Sequence, residues 1–189
     1  MSDKHLHWKR IEPTIVSKVG YRTIVSKTFE QPDGKVHHYE TAGAEGSRCA
    51  AVIALTPDNK VIIALQYRPG QQQLFEELPG GGVEEGEDLD AAVRRELLEE
   101  TGYEAGSMTH LGKIYKSAYD NITFNYFLAT NCIPHKDGQQ LDDTEHIEVK
   151  LITIDQLLDN GRNARMTDTE ALFLAYDKLM QVKEGTHEI

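Results

Sequence analysis

Three glutamates lie close together in the middle of this sequence, at Glu96, Glu99 and Glu100. In a helix of about 3.6 residues per turn, Glu96 and Glu100 share one face and Glu99 lies beside them. Arg95 precedes Glu99 by one helical turn and can offset part of the repulsion between these charges. Such carboxylate oxygens are ligands that Mg²⁺ prefers, together with waters and phosphate oxygens. The spacing therefore indicates either a divalent-metal site or a solvated acidic helix face.

Two neighbouring features favour the metal site. Leu89, Val93 and Leu97 form an apolar line at helical spacing beside the carboxylates, so we expect that side of the helix to be partly buried. The glycines at 80–82 precede the helix, and glycine lets backbone atoms come close to a site that uses a carbonyl ligand.

A set of strands and helices must position these residues. A helix is predicted from Asp88 to Thr101, because the segment starts among acids, is rich in helix formers and stops at Gly102. A C-terminal helix is predicted over 167–182, with Thr167 and Glu170 as its capping box. Apolar and β-branched runs predict strands at 50–55, 61–67, 108–116, 122–130 and 146–154. Several strands with a central and a terminal helix indicate an α/β sandwich on a mixed β-sheet.

The N-terminal part has a different character. Residues 11–41 are rich in strand formers and are interrupted by a turn sequence at Gln31–Gly34, which predicts a hairpin. The small, flexible residues 42–47 indicate a linker. We therefore predict an N-terminal strand arm over 1–45 and a main domain over 46–189.

Composition excludes several classes of function. The 189 residues carry a net charge of −11, which disfavours binding to a nucleic-acid backbone. No run approaches the ~20 apolar residues that cross a bilayer, and the first residues lack the apolar stretch of a secretory signal. Cys49 and Cys132 are the only cysteines and have no metal-like spacing, so we expect reduced thiols in a cytoplasmic protein.

The segment from Gly81 to Tyr103 resembles the Nudix box. It reads Gly, five residues, Glu87, seven residues, Arg95-Glu96-Leu97, one residue, Glu99-Glu100, one residue, Gly102-Tyr103. Similarity extends to 66–68, 77–81 and 145–149, in the order of the branch that contains ADP-ribose and nucleoside-diphosphate-sugar pyrophosphatases. The resemblance implies a Nudix-type α/β/α sandwich with an N-terminal strand arm. It also implies metal-dependent hydrolysis of a diphosphate bond to a nucleoside monophosphate and a sugar phosphate.

The resemblance assigns the metal and catalytic roles residue by residue. Mg²⁺, with Mn²⁺ as the alternative, would be bound by Glu96, Glu99, Glu100, Glu145 and the backbone carbonyl of Gly80. The catalytic base would be Glu145, with Glu99 counted among the catalytic residues and Glu148 as the alternative base. Arg95 and Glu87 would support the glutamates, as metal ligands generally require.

The resemblance also implies how the substrate is bound. Arg68 would contact the diphosphate or ribose, since a guanidinium can hold phosphate oxygens in two-pronged fashion. Tyr21 and Tyr39 stand in the two predicted arm strands, before and after the turn, where relatives use two arm aromatics of a dimer to enclose the base. Gly82 is the remaining substrate-binding residue. The expected partners are a small nucleoside diphosphate and a second copy of the chain, with no nucleic acid and no membrane.

The sequence leaves the substrate open at one point. Members specific for ADP-ribose often have a proline about fifteen residues after the box, whereas this chain has Lys116-Ser-Ala-Tyr-Asp120 there. The alternatives are another nucleoside diphosphate sugar, a Nudix hydrolase of a dinucleoside polyphosphate, coenzyme A or a nucleoside triphosphate, and a non-catalytic module that binds ADP-ribose.

Overall fold

The computed structural model describes residues 3–185, and within it the chain forms two compact units. One unit runs up to Arg48 and includes Tyr115–Thr123, and the other contains Cys49–Ile114 and continues from Phe124. The sequence-based division at 45/46 placed 115–123 in the main domain. In the structure Ala42 donates a hydrogen bond to the Tyr119 carbonyl and accepts one from Asn121, both 2.8 Å long. These bonds attach the segment to the N-terminal unit.

The N-terminal unit is built on a three-stranded antiparallel sheet. A short 3₁₀ helix over Asp3–Leu6 precedes the strands, which are β1 (Lys9–Val19), β2 (Arg22–Glu30) and β3 (Val36–Ala42). The predicted turn is present, because the Gly34 N–H donates to the Gln31 carbonyl at 2.9 Å. The structure has a second turn at Gly20 and Tyr21, so two hairpins replace the single predicted one.

The second unit contains a seven-stranded sheet. Its strands are β4 (Arg48–Leu55), β5 (Val61–Arg68), β6 (Gln73–Glu77), β7 (Gly80–Gly82), β9 (Ser107–Ile114), β10 (Thr123–Thr130) and β12 (Ile147–Ile152). The central order is β12-β5-β4-β10-β9, with β6 also paired with β5 and β7 with β4. Two short strands, β8 (Tyr103–Glu104) and β11 (Ile133–Pro134), pair separately.

The main sheet is mixed, as predicted. Thr123 donates to the Ser47 carbonyl where β4 and β10 begin, and Cys132 donates to the Leu55 carbonyl where they end. The two strands therefore run in the same direction. The remaining neighbours, β9–β10, β5–β12, β4–β5, β4–β7 and β5–β6, pair in antiparallel fashion.

The helix that carries the glutamates is α1 (Leu89–Thr101), which ends as predicted and begins one residue later, because Asp88 is its N-cap. The carboxylate of Asp88 caps its start by accepting a hydrogen bond from the Asp90 N–H at 2.9 Å. Gly102 ends it in the left-handed conformation, with φ of 70°. Val93 and Leu97 are fully buried and Leu89 packs against the same cluster, which confirms the predicted apolar line.

A second helix, α2 (Ile154–Arg162), was not predicted from the sequence. Its signal is present, because Thr153 and Gln156 form a complete capping box. The apolar run that begins at Ile147 hides this signal, and the predicted strand over 146–154 overlaps the helix start.

The C-terminal helix is α3 (Thr169–Glu184), and the predicted capping box at its start is wrong. Asp168 is the N-cap residue and forms no side-chain cap hydrogen bond. The Thr167 hydroxyl donates to the carboxylate of Glu77 instead. The tertiary partner of Thr167 therefore replaces the local one that the sequence pattern suggested.

Helices pack on both faces of the main sheet. Alternate residues of β5 separate two cores: Ile62 packs with Val93 and Leu97 of α1, whereas Ile63 packs with residues of α2 and α3 such as Leu157 and Leu179. This arrangement confirms the α/β/α sandwich. No helix within residues 3–185 has the length and apolar character needed to cross a membrane.

The end of α1 provides a test of the fold. Gly102 has a positive φ, and a Cβ there would lie 2.7 Å from the carbonyl carbon of Gly138. Gly102→Ala should therefore combine backbone strain with a collision against backbone and lower the free energy of unfolding by about 3 kcal/mol.

Gly86→Ala is the matched control. Its φ is +80°, but a Cβ there meets nothing within 4 Å. This variant should lose only about 1 kcal/mol, from the left-handed conformation alone. Urea unfolding measures both values, and equal losses would contradict a role for the contact with Gly138.

Candidate active site

The glutamates at the end of α1 lie against the glycine loop that precedes the helix. The Gly80 N–H donates to Oε2 of Glu100 at 2.8 Å. A Cβ on Gly81 would lie 2.6 Å from Oε1 of Glu96, so the backbone of the loop lies directly against this carboxylate. Pairing of β7 with β4, in which Gly80 lies opposite Ala51, fixes the loop in this position.

Arg95 links several acidic groups around this cluster. Its guanidinium donates to Glu87 Oε1 at 3.0 Å, to Glu96 Oε1 at 2.9 Å and to Glu99 Oε2 at 3.0 Å. It also donates to the Gly82 carbonyl at 3.2 Å. The hydrogen bonds to the three glutamates, led by the one with Glu87, raise the pKa of Arg95 above its ordinary value. Arg95 therefore remains charged and holds the predicted supporting residue Glu87 together with two of the glutamates.

Burial and repulsion shift the pKa values of the two innermost glutamates. Burial is the main cause that raises the pKa of Glu100 to about 8, and the charges of Glu96 and Glu145 raise it further, against the Gly80 N–H. The pKa of Glu96 is also raised, first by burial and then by the charges of Glu99 and Glu145, while Arg95 lowers it. Arg95, Arg68 and the Gly80 N–H therefore offset only part of the negative charge of Glu96 and Glu100.

The residues present suit a divalent cation. Glu96, Glu99 and Glu100 offer the hard oxygen donors that Mg²⁺ takes, and a cation would offset the desolvation and repulsion that raise two of their pKa values. Across residues 3–185, no three acidic, histidine or cysteine side chains already converge into a metal-binding group. Instead of facing a common centre, the carboxylates of Glu96 and Glu99 form salt bridges with the Arg95 guanidinium.

The structure places the two candidate bases differently. Glu145 lies in the loop before β12, where its carboxylate accepts a hydrogen bond from the Asp142 N–H at 3.0 Å. Its charge acts on both Glu96 and Glu100. Glu148 lies within β12 opposite Leu65, and the next residue, Val149, packs in the α1 core. Because strand residues alternate, Glu148 points to the other face of the sheet.

Arg68 ends strand β5 and is paired with a residue that the sequence analysis did not single out. Its Nε donates to the carboxylate of Glu77, a side chain with 0% exposure. The charge of Arg68 lowers the pKa of Glu100, so the guanidinium is within electrostatic reach of the cluster. The one available signal for Glu77 was its place directly before Leu78-Pro79-Gly80-Gly81 in the segment shared with the Nudix branch.

The two predicted base-binding tyrosines do not lie together within one chain. Tyr39 lies on β3, opposite Lys27 of β2, whereas Tyr21 lies in the turn before Arg22. Tyr21 is 90% exposed, with the Arg22 guanidinium 5.5 Å from its ring centre. The expectation that both tyrosines lie in strands is therefore wrong for Tyr21.

Tyr39 lines an aromatic cavity of about 370 Å³ in the N-terminal unit. Its ring centre is 5.3 Å from that of Trp8 and 6.4 Å from that of Tyr119, and the Tyr39 and Tyr119 rings are nearly parallel, at 24°. Asp120 also lines the cavity, and its buried Oδ1 has no hydrogen-bond partner in the part of the chain that the structure describes. The cavity therefore offers flat aromatic surfaces, with Asp120 as an acidic residue in its lining.

Known proteins with similar sequence and fold identify the family. The sequence model of the NUDIX domain family matches residues 47–173 of this chain. An ADP-ribose pyrophosphatase of Bacillus subtilis is 30% identical over 157 residues, which is 82% of this chain and 83% of that protein. The methanol dehydrogenase activator of Bacillus methanolicus gives the same identity and the same coverage.

A solved structure, described as an ADP compounds hydrolase, has the same fold. It superimposes with a TM-score of 0.73 at 21% identity, covering 96% of this chain and 100% of that one. The box residues Gly81 to Tyr103, the helix that carries them and the glycine loop beside it all lie inside the matched region. The chain therefore belongs to the Nudix family and is an enzyme of its pyrophosphatase class.

Proposed function

We propose that this enzyme hydrolyses the diphosphate bond of a nucleoside diphosphate sugar, ADP-ribose or a related compound. The products are a nucleoside monophosphate and a sugar phosphate. The observation that carries the proposal is the partly buried cluster of Glu96 and Glu100 against the Gly80–Gly82 loop, with the charge of Glu145 acting on both. The name of the Bacillus subtilis relative, an ADP-ribose pyrophosphatase, supports the same substrate class.

Mg²⁺, or Mn²⁺ in its place, is the proposed cofactor. Glu96, Glu99, Glu100, the Gly80 carbonyl and Glu145 would hold it. When bound, the cation would neutralise the diphosphate charge and polarise the attacked phosphoryl group. Arg95 keeps Glu96 and Glu99 in place beside the loop through hydrogen bonds of 2.9 and 3.0 Å.

Glu145 is the proposed general base. Its carboxylate would orient the attacking water and accept a proton from it as the water oxygen bonds to phosphorus. The bridging oxygen of the diphosphate then leaves with the departing phosphate. The bond from the Asp142 N–H to Glu145 orders the loop that carries this carboxylate.

Substrate recognition is divided between phosphate and base. Arg68, at the end of β5, would bind phosphate oxygens, and the exposed Gly82 would border the substrate. Tyr39, whose ring lines the aromatic cavity of the N-terminal unit, would stack against the base. Tyr21 would take part only from the arm of a second copy, so this proposal includes a homodimer.

The metal assignment predicts a loss of catalysis without a loss of fold. Glu96→Gln and Glu100→Gln should each lower kcat by about 100-fold or more, because each removes a carboxylate from the proposed metal site. Chelation with EDTA should abolish activity, and added Mg²⁺ should raise the melting temperature of the natural protein more than that of either variant.

Glu104→Gln is the control for these variants, since Glu104 is exposed and follows α1 by only a few residues. It should retain normal kcat and the normal response to Mg²⁺. Near-normal turnover in Glu96→Gln or Glu100→Gln would show that the metal is held elsewhere.

The two candidate bases are distinguished by a paired substitution. Glu145→Gln should lower kcat by about 100-fold, because general-base catalysis contributes on that order. Glu148→Gln should change kcat little, since this side chain points away from the α1 face of the sheet. Steady-state rates at saturating substrate and Mg²⁺ measure both, and the reverse order of effects would move the base to Glu148.

The substrate class is tested with a panel of ADP-ribose, other nucleoside diphosphate sugars, diadenosine polyphosphates, coenzyme A and ATP. The nucleoside diphosphate sugars should give the highest kcat/KM. Tyr39→Ala should lower this ratio by about 10-fold for them, since stacking of a base on an aromatic ring contributes on that scale. Tyr176→Ala, on an exposed position of α3, is the control and should leave the ratio unchanged.

Each other outcome of the panel identifies an alternative. Highest activity on coenzyme A, ATP or a dinucleoside polyphosphate would retain the reaction type and overturn the substrate. Binding of ADP-ribose without release of products, at any metal concentration, would identify a non-catalytic module.

A further inference from the structure

Glu77 is a charged side chain with no exposure to solvent. It ends strand β6, and its carboxylate has two partners, the Nε of Arg68 and the hydroxyl of Thr167. A carboxylate removed from water is strongly unfavourable unless it is paired and hydrogen-bonded. The pair with Arg68 is therefore a fixed element of this site, unlike an exposed surface ion pair.

The way in which Arg68 is bonded leaves its outer edge available. A guanidinium has five N–H groups, and Glu77 occupies the one on Nε. Within residues 3–185, Nη1 and Nη2 of Arg68 have no hydrogen-bond partner, and the side chain is 40% exposed. These two nitrogens form the edge that binds phosphate oxygens in two-pronged fashion.

The backbone around Glu77 ties this pair to the glutamate cluster. Gly80, three residues further along the chain, donates its N–H to Glu100 at 2.8 Å. Thr167 comes from the loop before α3 and contacts Glu77 from outside the β5–β6 pair. Thr167 thus holds one oxygen of the Glu77 carboxylate, and the other oxygen fixes the direction of the Arg68 guanidinium.

We propose that Glu77 is a positioning residue for the hydrolase, whose buried carboxylate orients the Nη edge of Arg68 toward the diphosphate of the substrate. This inference rests on the proposed function. Glu77 itself does not touch the substrate and acts only through Arg68. Thr167 contributes by holding the second oxygen of the carboxylate.

The test is a double-mutant cycle with ADP-ribose as substrate. Glu77→Gln should raise KM about 10-fold with little change in kcat, because a less well-oriented guanidinium loses binding to ground state and transition state alike. In an Arg68→Ala background the same substitution should raise KM no further. Thr167→Val, which leaves the carboxylate in place, should raise KM by about 3-fold.

Binding without turnover gives an independent measurement. Titration calorimetry of ADP-ribose in EDTA should show the dissociation constant rising in Glu77→Gln and Thr167→Val by the same factors as KM. Glu76→Gln is the matched control, since Glu76 adjoins Glu77 but pairs with Lys150 and Asn160. It should leave KM and the dissociation constant unchanged.

The outcomes separate this inference from the proposed function. A natural protein that hydrolyses ADP-ribose, with variants of Glu77 and Thr167 that change only the melting temperature, would overturn the positioning role alone. A rise in KM that persists in the Arg68→Ala background would overturn it as well. A natural protein that hydrolyses no diphosphate would overturn the proposed function, and calorimetry would still report whether Glu77 acts on ligand binding through Arg68.

Discussion

The site depends on holding several carboxylates together where water reaches them poorly. Glu96 and Glu100 are brought within reach of each other and of Glu145, and burial with mutual repulsion raises the pKa of Glu100 to about 8. Such an arrangement persists only if the surrounding structure over-determines it. Three features hold the carboxylates in place here. The Gly80 N–H donates to Glu100, Gly81 has no side chain that would displace Glu96, and Arg95 donates hydrogen bonds to Glu87, Glu96, Glu99 and the Gly82 carbonyl. The uncompensated negative charge that remains is what makes the cluster suited to a cation.

Features that depend on one helix could be predicted from the sequence. The bounds of α1, its buried line of Leu89, Val93 and Leu97, and the pair between Arg95 and Glu99 follow from a repeat of about 3.6 residues, because both partners lie on the same element. The fold class was also predictable, since alternating strands leave two apolar faces that helices must cover. Helix α2 was missed although its capping box is complete, because the apolar run before it has the pattern of a strand.

Features that depend on contacts between distant segments could not be predicted. The sequence around Thr167 has the pattern of a local capping box, but the hydroxyl bonds to Glu77, which is 90 residues away in the chain. The burial of Glu77 and its pair with Arg68 likewise arise only when β5 and β6 are aligned. Tyr21 was assigned to a strand because its neighbours are strand formers, yet the chain reverses at Gly20, with φ of +59°. Side-chain composition predicts that a segment forms strands, but it does not predict where one strand ends, the chain turns and the next strand begins.

The two arginines of the site show why one residue type serves opposite purposes. Arg95 uses its planar group to donate hydrogen bonds to acceptors of four residues at once. Among the residues that the structure describes, Arg68 bonds through Nε alone, to Glu77, and its side chain is 40% exposed. A lysine could replace the charge at either position, but a point charge cannot hold Glu87, Glu96 and Glu99 in fixed directions, nor bind one carboxylate while presenting a second edge. The geometry of the guanidinium, rather than its charge alone, therefore lets the same chemical group hold several acidic side chains at one position and pair with a single buried carboxylate at the other.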